Sequence, residues 1–116
     1  MIQEDYVSFE TALLLKEKGF EQVGCQKQYN TQGDLCVGYC YGPVAPTLQM
    51  VMKWLREVHN IFIEISTSID LNGDYHFSYT ILDKECKYVR RWYTDFDWKY
   101  EEAVEAALKY CLENLI

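Results

Sequence analysis

A chain of 116 residues with 49% hydrophobic content can bury a real core without metals or disulfides, so one compact domain over 1–116 is expected. The formal charge of -7, from 18 acidic and 11 basic side chains, argues against a nucleic-acid partner: the one adjacent basic pair, Arg90-Arg91, would be split between the two faces of a strand. No stretch approaches the roughly eighteen apolar residues of a transmembrane helix, and the start MIQEDYVSFE lacks both a basic region and an apolar run, which points to a cytoplasmic protein with no membrane partner.

Ser8 can cap a first helix from Phe9 to about Lys18, stopped by Gly19. Phe9, Ala12, Leu13 and the stem of Lys16 share its predicted buried face, with Phe20 just beyond. Asn30-Thr31-Gln32-Gly33 then reads as a turn between two extended pieces, about Gly24–Tyr29 and Leu35–Tyr41, forming either a short edge hairpin or an ordered loop. Thr47 can cap a second helix whose buried stripe is Leu48, Val51, Met52, Leu55, Val58 and His59. Asn60 marks its exit into a strand.

The stretch 61–83, IFIEISTSIDLNGDYHFSYTILD, specifies a β-hairpin and its register. Asp70-Leu71-Asn72-Gly73-Asp74 has the chemistry of a type I turn followed by a left-handed glycine. That three-residue loop pairs Ile69 with Tyr75, Thr67 with Phe77, Ile65 with Tyr79 and Ile63 with Ile81. A two-residue Asn-Gly turn would instead mix the apolar and polar rows. A third strand, Cys86–Thr94, follows a two-residue Lys84-Glu85 turn that sets Tyr88 opposite Ile81 and puts Tyr88 and Trp92 on the core side. The last helix, about Tyr100–Leu115, carries an apolar stripe from Tyr100 through Ala103, Val104, Leu108 and Cys111 to Leu115, with Glu105–Lys109 as an i,i+4 pair. The predicted fold is α+β: a two-layer sandwich of three helices on an antiparallel sheet of three or more strands, core order α-α-β-β-β-α, with a short extra hairpin after the first helix as an option.

Five cysteines, Cys25, Cys36, Cys40, Cys86 and Cys111, leave one unpaired in any scheme, which disfavours a disulfide framework and suggests a reducing compartment. Cys36-x3-Cys40, with Cys25 as a third thiol, is the best metal or redox candidate, yet in an extended strand those two lie about 13 Å apart. Cys111 belongs to the last helix's apolar stripe. His59 closes a helix and His76 sits on the polar hairpin face, with nothing local to build a nucleophile pair. Asp70, Asp74 and Asp83 sit at turns, and Asp95-x-Asp97 suits a helix cap or, as the lesser reading, half of a divalent-ion site. The loop DLNGD lacks the terminal Glu of a calcium loop. No catalytic residue, metal ligand or cofactor site is therefore assigned.

Aromatic residues are in surplus: ten Tyr, three Trp and five Phe. Tyr39, Tyr41, Tyr93, Phe96 and Trp98 have no place in the predicted core rows and form the candidate interaction surface. Stacking on single-stranded nucleic acid would need a basic groove beside them.

Three stretches, SFETALLLKEKGF at 8–20, PTLQMVMKWLREVHNIFIEI at 46–65 and YEEAVEAALKYCLENLI at 100–116, resemble small uncharacterised proteins of Bacteroides-type gut bacteria and their phages or mobile elements. The resemblance is marked by Lys53-Trp54-Leu55-Arg56 running into His59-Asn60-Ile61 and by Tyr100-Glu101-Glu102-Ala103. It implies a shared small α/β fold in a bacterial cell and assigns no activity. The expected role is a non-enzymatic accessory or regulatory protein acting by protein contact, with a protein partner or homodimer. One alternative is a nucleic-acid regulator whose Lys53, Arg56, Lys87, Arg90 and Arg91 converge on one face. The other is a small-ligand binder or minor enzyme with a concave pocket.

Overall fold

The computed structural model describes residues 2–20, 27–37, 40–92 and 99–116, the Trp92 side chain excepted. Three helices and five strands follow the order α1 (Phe9–Glu17), β1 (Lys27–Tyr29), β2 (Leu35–Val37), α2 (Leu48–His59), β3 (Phe62–Ile69), β4 (Tyr75–Leu82), β5 (Tyr88–Trp92) and α3 (Tyr100–Asn114). The fold is α+β with two antiparallel sheets, β1-β2 and β3-β4-β5. The order departs from α-α-β-β-β-α because the segment after α1 folds as its own hairpin, with Lys27 opposite Val37 and Tyr29 opposite Leu35.

Both helix starts expected from the sequence are capped as anticipated: Ser8 accepts from the Thr11 N–H and Thr47 from the Met50 N–H. Gly19, at φ 84, ends α1 while the Phe20 N–H bonds the Leu15 carbonyl and the Gly19 N–H bonds that of Lys16. Of the predicted face, Ala12 and Phe20 are buried and Phe9 packs partly buried against the core, whereas Leu13 and Lys16 face out and Thr11 and Leu15 take their place inside. Leu13 is exposed. The helix is rotated because Thr11 hydrogen-bonds Glu105 of α3, turning Leu15 inward with it. In α2 the stripe ends at Leu55, and Val58 is exposed. Asn60 takes the left-handed conformation, φ 56, which turns the chain at once into β3.

Strands β3 and β4 pair in the register expected from the three-residue loop, Ile69 with Tyr75 through Ile63 with Ile81. Strand β5 departs from expectation. The turn before it spans three residues, with Asp83 Oδ1 accepting from the Glu85 and Lys87 N–H groups and Cys86 left-handed at φ 60. That loop sets Tyr88 opposite Leu82 on the outer face, and Tyr88 is exposed. A β-bulge at Val89 then shifts the register, so Arg90 faces Ile81 and Trp92 faces Tyr79. Tyr88 thus gives its predicted core-side place to Arg90, and the expected placement of the Trp92 side chain lies outside the described residues.

The core gathers Leu15, Val51, Leu55, Tyr79 and Ile81 around the buried stripe of α3, from Ala103 to Leu112. Helix α3 packs on α1, α2, β3 and β4. Tyr100, at the head of its predicted stripe, is half exposed and meets Phe77 edge-on at 5.8 Å. Lys109 bonds Glu10 of α1 at 2.7 Å rather than Glu105, which holds α1 instead.

Candidate interaction surface

Of the five aromatic residues expected to form a contact surface, Tyr39, Tyr93, Phe96 and Trp98 lie outside the described residues. Tyr41 is 81% exposed, on the segment that returns past β1 after β2. The structure therefore does not bring the five together as a described patch. What it exposes instead is the far half of the β3–β4 hairpin. Tyr79 and Ile81 are buried, Ile63, Ile65 and Phe77 are half-buried, and Ile69 and Tyr75 are 61% and 65% exposed. Leu71, in the loop, is fully exposed.

The gradient follows from element lengths. Eight residues of β3 span about 26 Å, whereas the covering helices, twelve residues of α2 and fifteen of α3, span only about 18 and about 22 Å. One row of alternating apolar residues thus runs from the core into solvent. The sequence marks Ile69 and Tyr75 as core because periodicity reports which face a residue takes, not whether anything covers it. Comparing helix and strand lengths is the signal that finds them.

The same hairpin presents an open edge. The Asp70 N–H bonds the Asp74 carbonyl, so 70 and 74 form a hydrogen-bonded pair, and by alternation so do 68/76, 66/78, 64/80 and 62/82. The backbone groups of Ile63, Ile65, Thr67 and Ile69 therefore point away from β4. Among the described residues no backbone group pairs with them. The loop is braced from within: Asp70 Oδ1 accepts from the Asn72 and Asp74 N–H groups, and Oδ2 lies 2.7 Å from His76 Nε2. His76, followed by the backbone donors, holds the Asp70 carboxyl below the usual carboxylate range.

A concavity of about 440 Å³ lies between residues 5–8, Leu48 and the first turns of α3. Asp5, Glu101, Glu102 and Glu105 make it acidic. Its best-placed carboxylate is a clasp: Glu105 Oε1 accepts from the Ser8 N–H at 3.1 Å, from Ser8 Oγ at 2.5 Å and from Thr11 Oγ1 at 2.5 Å. A carboxylate over the first turn of α1 also complements the helix dipole. The Lys109–Glu10 ion pair ties the same two helices, lowering the Glu10 pKa and raising that of Lys109.

The remaining candidates resolve as follows. Cys36 and Cys40 are not separated along an extended strand. Strand β2 ends at Val37, the Cα atoms of Cys36 and Cys40 stand 7.0 Å apart, and the sulfurs meet as a disulfide. Cys25 lies outside the described residues, among which no group of three or more His, Cys, Asp or Glu is arranged to hold a metal ion. Burial pushes the Cys111 thiol up to about 12, which leaves it protonated and unreactive. His59 packs edge-on against Trp54 at 4.6 Å, and Trp54 meets Phe20 at 5.3 Å. The five basic residues do not converge: Lys53 and Arg56 lie on the outside of α2, and Lys87 pairs with Glu85. Arg91 stacks on Tyr88, whereas Arg90 turns inward to donate to the Tyr79 hydroxyl at 2.9 Å and cover the Tyr110 ring at 4.0 Å. None of the described helices is long and apolar enough to cross a membrane. No family model, curated protein or solved structure matches this chain.

Proposed function

We propose that this chain is a non-enzymatic accessory or regulatory protein that acts by protein–protein contact, and that the contact surface is the open β3 edge with the projecting hairpin tip. The observation that carries this reading is an eight-residue strand whose outward backbone groups meet no partner among the described residues, ending in exposed Ile69, Leu71 and Tyr75. Exposed edges of that length offer ready-made hydrogen bonds to another chain. In this reading the helices and the three-stranded sheet form two layers, which the burial of Tyr79 and Ile81 beneath α3 supports, and the tip extends past the helical layer. A bacterial cytoplasmic setting belongs to the same proposal and rests on the sequence resemblance, with the Cys36–Cys40 disulfide as the observation that weighs against it. The divided basic residues weigh against the nucleic-acid alternative.

Site-specific photocrosslinking in cells that make the protein tests the reading. A crosslinker at Leu71 should form protein adducts that the same crosslinker at Glu113, exposed on α3, does not form. Equal labelling at both sites, or none at Leu71, contradicts it.

A further inference from the structure

We infer that the partner at this edge is a second copy of the chain, with β3 pairing antiparallel to β3 of its twin about a two-fold axis at Ile65. This rests on the contact reading above and adds the occupant and the register. The backbone parity admits the pairing. Ile65 points outward, so two copies of it can form one hydrogen-bonded pair, flanked on each side by Ile63 against Thr67 of the other copy; Ile69 then lies opposite Ile61, whose own N–H is already bonded to the Leu55 carbonyl. That register pairs Ile63 through Thr67 of each strand in full. On the opposite face it sets Glu64 against Ser66 and Phe62 against Ser68, so no like charges meet.

The burial gradient says what each copy lacks. Ile69 is 61% exposed where the helices end, whereas Ile61, at the foot of the same strand, is 9% exposed beside α2. Antiparallel pairing brings each bare tip to the covered foot of its twin. The two halves of the row are complementary in the way a two-fold contact requires.

Charge points the same way. The whole chain carries -7, a load that would repel its own copy over most of the surface. Residues 47–69, which make α2 and β3, carry Lys53 and Arg56 against Glu57 and Glu64 and are neutral. A basic partner would gain nothing at this edge, whereas an uncharged self-complementary one meets no repulsion there.

Light scattering coupled to size exclusion, over a series of protein concentrations, tests the inference. The wild-type chain should approach twice its 13.7 kDa mass as concentration rises. Thr67→Pro should stay monomeric with the wild-type circular-dichroism spectrum, because the amide it removes faces the open edge. Ile69→Lys, a change at an exposed position, should show the same loss without touching the backbone. Ser66→Lys, facing Glu64 of the other copy, should tighten the dimer roughly fivefold and Ser66→Glu should loosen it by a similar factor. A monomer at every concentration overturns self-pairing, as does a dimer that survives both Thr67→Pro and Ile69→Lys. Tightening by Ser68→Lys in place of Ser66→Lys overturns the Ile65 axis. Crosslinks from Leu71 to a different protein, together with a monomeric purified chain, end the self-pairing and leave the contact reading standing. No crosslinks and a monomer end both.

Discussion

The two edges of the three-stranded sheet are built on opposite plans. Strand β5 is five residues long, interrupted by a bulge at Val89, and carries Arg90 and Arg91 with Lys87 just before it. One of those charges, Arg90, points inward. Short length, a bulge, a basic surface and an inward charge are the devices that keep an edge from pairing with another chain. Strand β3 has none of them: it is eight residues long, in continuous register with β4, and carries one charge, Glu64. The sheet is thus protected on one side and left open on the other. Within a single small sheet this contrast singles out β3 as the edge left without the features that discourage pairing.

Substituting proline at neighbouring positions of β3 makes the contrast sharpest. Ser66→Pro removes an amide that bonds β4 and strands the Ser78 carbonyl, and should cost about 2–4 kcal/mol in urea unfolding. Thr67→Pro removes an outward amide and should cost less than about 1 kcal/mol. Equal losses at both positions would mean that the outer edge of β3 is already occupied within the chain. On the β5 side, Arg90→Ala deletes the hydrogen bond to Tyr79 and the stack on Tyr110, and should cost about 1–2 kcal/mol by the same measurement. No loss would mean that the bulge serves only to spoil the edge.

The two loops that flank β4 extend the comparison. Both are three-residue turns headed by an aspartate, but the left-handed position is Gly73 in one and Cys86 in the other. Cys86→Gly should therefore stabilise the chain by about 1 kcal/mol, the relief of a side chain at φ 60 less the added freedom of the unfolded glycine. An Ala at Gly73 should shift stability the other way. Both aspartates have depressed pKa values: Asp70 from His76 first and then the Asp74 amide, Asp83 from the Lys87 and Glu85 amides. A carboxyl depressed on folding contributes stability above its unfolded value of about 4 and loses it as pH falls through the lower folded value. Chemical-shift titration should thus show both loops intact at neutral pH and loosening only below about pH 4. Loosening of either between pH 5 and 7 would contradict the assignment.

The unequal legibility of the two edges has a physical cause. The β3–β4 register could be read because Asp70 and Gly73 name their loop and the alternation of Ile and aromatic residues allows one pairing. The β4–β5 register could not. Cys86 occupies a place where glycine is the usual signal, and the bulge at Val89 then changes parity within a run of Tyr, Arg and Trp that offers no clean row. Long-range polar contacts were hidden for a related reason. Glu105 and Lys109 look like partners along a helix, yet α1 supplies Ser8 and Thr11 to one and Glu10 to the other. The exposed hairpin tip lies in the part of the chain whose register is clearest, because Ile69 and Tyr75 share their face with true core residues and only the reach of the covering helices separates them.

Amide hydrogen exchange resolved by residue along β3 addresses the open edge most directly. The amides of residues 64, 66 and 68 bond β4 and should be protected at every concentration. Those of Ile63, Ile65, Thr67 and Ile69 should exchange freely in dilute protein and become protected as concentration rises. Odd-numbered amides protected already in the dilute chain, or unprotected at every concentration, would contradict an edge left open for pairing.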